Sequence, residues 1–170
     1  MSPQTLFDVA FPLAAPFWLL MIVLPGWSWT RRIIASPWIA VPPLLVHVVL
    51  LVPQFATYAT PIVNPDLAGL AAVLGTPAGA ATVWAHAIGF DLLIGRWMYF
   101  DARERGVPAL LMAPVLVLTI LLSPLGFLTY LLVRIPFRHE AREPGRDVRR
   151  LRFHSRSRDS RPCPFSSQRP

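Results

Sequence analysis

Four runs of apolar residues dominate the first 133 positions, each close to the length of about 20 residues that a helix needs to cross a bilayer. They extend roughly over residues 6–29, 33–53, 78–100 and 107–133. A chain with this pattern has few folds open to it, because backbone polar groups in lipid must be satisfied within helices or a closed barrel. The runs are too long and too weakly alternating for barrel strands, so the expected fold is all-α. We read an integral membrane bundle of four transmembrane helices, with a short re-entrant or surface helix before the third. That short helix is placed at Leu67–Leu74, since residues 62–100 cannot supply two full crossings. The stretch 54–77 holds Pro61, Asn64, Pro65, Gly75 and Pro77 and reads as turn-rich. Prolines within the runs (Pro12, Pro16, Pro42, Pro43, Pro114, Pro124) predict kinked helices.

Charge is segregated. All 16 basic residues are arginine, and 11 of them lie from Arg134 onward. Residues 1–133 balance five arginines against five acids, whereas the remainder carries the net charge of +7. The chain therefore divides into a transmembrane domain, 1–133, and an Arg/Ser/Pro-rich tail, 134–170. The tail buries too little apolar surface to fold and is expected to be disordered. Its arginines attract anionic lipid headgroups, and no aromatic platform accompanies them for nucleic acid. Membrane lipids are thus the expected partners. Lone Cys163 excludes an intrachain disulfide. No basic n-region precedes the first run, so it reads as a retained span and not a secretory signal. The exclusive use of arginine suggests a GC-rich coding sequence, and the expected location is a bacterial cell membrane. Orientation has two competing indicators. Arg31/Arg32 and Arg103/Arg105 favour both termini outside the cytoplasm, and the tail favours both inside. We adopt the second.

The third run carries the chemistry. His86, Asp91 and Arg96 lie within eleven residues, in a solvent where each is expensive. On a helix, His86 is about 140° from Asp91, and Arg96 is five residues beyond it, poor spacing for a local salt bridge. Partners should come from other helices. His47, near the end of the second run, falls at the depth of His86 if the two spans are antiparallel. Arg96 lies about 15 Å along the axis from His86, near the opposite interface, where it can snorkel or pair with Asp101 or Glu104. Asp91, His86 and Arg96 are the candidate catalytic residues; His47, Trp84 and Trp97 are candidates for contacting substrate. Each also has a plainer reading. The histidines can satisfy carbonyls freed by proline, the tryptophans can pack or sit at the interface, and Gly89 and Gly95 can be close-packing positions. No metal-binding spacing, phosphate loop, nucleophile elbow or paired cysteine appears, and no cofactor is assigned.

The pattern Trp84-x-His86-x4-Asp91-Leu-x2-Gly95-Arg96-Trp97, followed by Asp101, Val107-Pro108 and Ser123-Pro124-Leu125-Gly126, resembles the abscisic acid-deficient protein 4-like (neoxanthin synthase-like) family of integral membrane proteins. Asn64-Pro65-Asp66-Leu67 fits as well, while Ser123 stands where the family pattern leads one to expect glycine. The resemblance covers residues 6–133 and excludes the tail. Plant members are associated with forming neoxanthin from violaxanthin, so it implies a carotenoid or other isoprenoid substrate and an intramolecular isomerisation. Opening an epoxide while losing a hydrogen needs an acid at the epoxide oxygen and a base at the carbon-bound hydrogen, inside a dry apolar cavity. Asp91 and His86 would supply these roles, with Arg96 steadying negative charge. The alternative is a non-catalytic lipid-binding or membrane-assembly protein whose intramembrane charges are structural.

Overall fold

The computed structural model describes residues 1–137, apart from Pro65 and the side chains of Thr60 and Ile62. Residues 138–170, with Cys163 and most of the tail, lie outside the described residues. Among the described residues the fold is all-α, with no strand.

Helix α1 (Pro3–Val23) starts where the Ser2 hydroxyl accepts the Thr5 N–H and Pro3 supplies a pre-set φ. It leads into a short helix, α2 (Ser28–Ala35). The chain then reverses at Ser36–Pro37 and returns through a 3-10 turn, α3 (Val41–Leu51), a second 3-10 turn and α4 (Phe55–Val63). A cap by Asp66, which accepts from the Ala68 and Gly69 N–H groups, opens α5 (Leu67–Leu74). The Thr76 hydroxyl then caps α6 (Pro77–Glu104), the longest helix at 28 residues. Gly106, at φ 72°, makes the left-handed turn that ends this run, a conformation glycine adopts without steric cost.

Three stretches are long and apolar enough to cross a membrane: Pro3–Val23, Pro37–Ala59 and Pro77–Glu104. The second is displaced from its expected position. It begins after the Ser36–Pro37 break, and residues expected to be turn-rich continue it as helix. The fourth expected span is not a single rod. It folds as α7 (Ala109–Leu121, 13 residues) and α8 (Ser123–Val133, 11 residues). At 1.5 Å per residue these reach only about 20 Å and 16 Å, short of an apolar core about 30 Å thick.

The two short helices fold back on one another. Seven residues apart on a straight helix, Thr119 and Gly126 would be separated by about 10 Å. Instead, a Cβ placed on Gly126 would lie 2.5 Å from the Thr119 backbone nitrogen and Cα. Leu122 makes the turn, at φ −145° and ψ 74°. Both open ends of this hairpin stand at the Glu104 end of α6. Asp101 accepts from Tyr130 and Arg105, lies 3.6 Å from Arg134, and Arg105 donates to the Phe137 carbonyl. The N-terminus is at the other end, where Phe7 stacks on Trp84. The start of α1 and the open end of the hairpin therefore sit at opposite ends of α6, whereas four full spans would have placed them at the same end.

The core follows this arrangement. At the Glu104 end, Trp18, Met21, Leu92, Met98, Leu116 and Tyr130 join α1, α6 and the hairpin in one cluster. At the Pro77 end, Leu6, Ala10, Val46, Leu50, Ala81 and Ala85 join α1, α3 and α6 without the hairpin. Two glycines set the spacing of α6. A Cβ on Gly95 would meet the Trp18 indole at 2.3 Å, and one on Gly89 would meet the Leu44 side chain at 2.5 Å.

Candidate functional site

Helix α6 distributes its polar residues by angle, and each meets a different neighbour. Toward α3, the rings of His47 and His86 lie 5.1 Å apart between centroids. The depth argument from antiparallel spans thus places these two residues side by side. His47 Nδ1 lies 3.0 Å from the Thr82 carbonyl oxygen. A carbonyl only accepts, so His47 donates from Nδ1, and in the neutral ring Nε2 is left as the basic nitrogen. His86 stacks on Phe90 at 4.5 Å.

Toward the hairpin, Ser123 lies near the Asp91 carboxylate, and His86 is near enough to feel its charge. Ser123 is the first residue of α8, so the tip of the hairpin reaches the level of Asp91 and goes no further along α6. The hairpin consequently covers α6 from Asp91 to Asp101 and leaves the rest of that side open. Val83, His86 and Phe90 are all exposed there. A partly buried carboxylate, two histidines and an apolar ledge share this opening. Sequence reasoning missed Ser123 as a site residue; its one signal was a departure from the family pattern.

Arg96 does not join this group. It lies on another face of α6, where Nε donates to the Ile34 carbonyl at 2.8 Å and Nη2 donates to the Ala35 carbonyl. These are the last carbonyls of α2, left without helical partners, and the guanidinium satisfies them. Neither Asp101 nor Glu104 pairs with it. Trp97 packs against Phe127 and Tyr130 beneath the Arg134 guanidinium, at the hairpin seam. Trp84 stacks on Phe7 at 5.2 Å, on the side facing α1. The six candidates thus separate into a cluster of His47, His86 and Asp91 and three residues occupied elsewhere. Among the described residues, no three His, Cys, Asp or Glu side chains assemble as a metal-binding group.

Three long apolar helices with a carboxylate and two histidines at mid-length define a multi-pass membrane protein with a polar group held inside its apolar zone. The chain belongs to the ABA DEFICIENT 4-like family, whose model matches residues 5–130. The match runs from α1 into α8 and includes every candidate site residue. No curated protein and no solved structure matches the chain.

Proposed function

We propose that this protein acts on a carotenoid or another long isoprenoid, which enters the opening beside His86 from the bilayer and undergoes an intramolecular isomerisation. The observation that carries this reading is the pairing of His47 with His86, next to Asp91, on a face of α6 that the hairpin leaves uncovered. An apolar substrate reaches such a face by lateral diffusion, with Val83 and Phe90 as its contact surface. Asp91 then serves as the acid toward an epoxide oxygen, oriented by Ser123. A histidine takes the carbon-bound proton. Of the two, His86 is at the surface, while His47 has its tautomer fixed with Nε2 basic. One proton is delivered and one removed, so the rearrangement needs no redox partner. In this reading Arg96 holds α6 against α2 and makes no contact with substrate.

Pigment and isoprenoid extracts of cells expressing the protein test the proposal. A new isomer is expected with the native chain, and its loss in Asp91→Asn and His86→Gln variants that still fold. Identical extracts with and without the protein would sink it. The contact between Asp91 and Ser123 also favours a second reading, in which the carboxylate anchors the hairpin of a non-catalytic lipid-binding or assembly protein. In that case Asp91→Asn unfolds the hairpin half of the core.

A further inference from the structure

At the Glu104 end of α6, opposite the histidine pair, Arg31, Arg32 and Arg103 surround a cavity of about 500 Å³ between α2 and the end of α6. None of the residues lining it is acidic. The ion pairs among the described residues are those of Arg105 and Arg134 with Asp101, so these three guanidinium groups have no counter-charge there. Arg32 lies over the Trp29 ring at 5.4 Å. Arg103 lies over Tyr99 at 5.5 Å and donates to the Pro25 carbonyl through one nitrogen, which leaves its other donors unused. The Arg31 side chain makes no hydrogen bond or ion pair among the described residues. Three like charges around one cavity repel, and an anion placed between them relieves that repulsion.

The position suits a lipid headgroup. Trp27, Trp29 and Trp38 are exposed around the same end, as aromatic side chains are at a membrane–water boundary. A second cavity, of about 290 Å³, lies between α1, α6 and α7, and Met21, Ala102, Val107, Met112 and Leu116 line it. The two cavities, one lined by three arginines and one mostly by apolar side chains, share Arg103.

We propose that this pair of cavities binds an anionic membrane phospholipid. Its phosphate sits among Arg31, Arg32 and Arg103, and part of an acyl chain occupies the methionine-lined compartment. Guanidinium groups suit phosphate because their planar donors match its oxygens in pairs. This assignment is independent of the isomerase reading, since it involves none of His47, His86 or Asp91.

The test uses the full chain, purified in detergent with equal phosphatidylglycerol and phosphatidylcholine, and native mass spectrometry to count retained lipid. Preferential retention of phosphatidylglycerol is expected. Its excess should fall about fivefold for each of Arg31→Gln and Arg32→Gln. Both positions are exposed and hold no backbone group, so these variants keep the fold. Ala109→Phe, at the edge of the apolar compartment, should also reduce retention. Arg149→Gln/Arg150→Gln in the tail should lower it by less than either cavity variant. Equal retention of the two lipids by the native chain would overturn the proposal, as would an equal loss in the tail variant. Insensitivity to Ala109→Phe, or release of the lipid by millimolar inorganic phosphate, would show a site for a free anion and refute the lipid.

Discussion

Gly126→Ala is the substitution whose outcome depends most directly on how residues 107–133 fold. On a continuous helix the change stabilises, because alanine is favoured over glycine by about 1 kcal/mol in a helix interior. In the hairpin, the new methyl would sit 2.5 Å from the backbone nitrogen and Cα of Thr119, where ordinary contact begins near 3.4 Å. The obstacle is backbone on the opposing helix, so no rotamer change relieves it, and α8 must move by about 0.9 Å. Overpacking of this kind costs about 1–3 kcal/mol, and a backbone clash belongs at the upper end. Offset by the propensity gain, the net loss is about 2 kcal/mol. At about 2–4 °C per kcal/mol for a chain of this size, the midpoint of thermal unfolding in detergent should fall by about 4–8 °C. Gly26→Ala is the control, since nothing lies within 4 Å of its Cβ position, and it should leave the midpoint unchanged. A midpoint that stays level or rises in Gly126→Ala would refute the hairpin and restore a fourth spanning helix.

Three other outcomes follow from the same packing. Gly95→Ala should destabilise by about 1–3 kcal/mol in the same assay, because its methyl would meet the buried indole of Trp18. Asp101→Asn should cost about 1.5–3 kcal/mol through weakened charge-assisted bonds from Tyr130 and Arg105, and limited proteolysis should show the hairpin released first. In a Cys163→Ser background, a membrane-impermeant thiol reagent should label Gln4→Cys and Pro136→Cys from opposite faces of the membrane; labelling of both from one face would contradict an odd number of crossings.

The extent of what the sequence discloses differs from helix to helix. Apolar length alone locates α1 and α6, because a spanning helix is set by bilayer thickness. The meeting of His47 and His86 also follows from length, given antiparallel neighbours. Three features escape this reasoning. Arg96 looks like a partner for an acid, yet its role is to satisfy two α2 carbonyls, and α2 itself is hidden within what reads as two adjoining spans. Ser123 gains significance only from the fold-back that brings it to Asp91. The fold-back is concealed because hydropathy counts residues and not direction. Pro124 is a weak signal by itself, since Pro12, Pro16 and Pro114 lie inside intact helices. What distinguishes it is Gly126 two positions later, which allows α8 to return within van der Waals range of Thr119.

That turn also brings the competing indicators of orientation together. With three crossings and a hairpin, Arg31, Arg32, Arg103, Arg105 and Arg134 all gather at one end of α6, and the arginine-rich sequence after Phe137 starts from the same end. The short loops and the tail then favour the same face, the cytoplasmic one under the positive-inside rule.

The half-length hairpin has a consequence for how the protein is made. As it leaves the ribosome, the segment from Val107 to Val133 is a linear apolar run that insertion machinery can accept as a crossing helix. The fold requires the opposite outcome, with Arg134 retained on the side from which α7 began. The surfaces that hold it there, Asp101 and the Met98 face of α6, have already been synthesised by then. Assembly is therefore ordered: α6 must be in place before residues 107–133 commit, and its Asp101 carboxylate competes with the bilayer for Arg134. Weakening the Thr119–Gly126 contact would then do more than loosen a helix pair. It would divide newly made chains between two topologies, one of which carries the tail to the wrong face of the membrane.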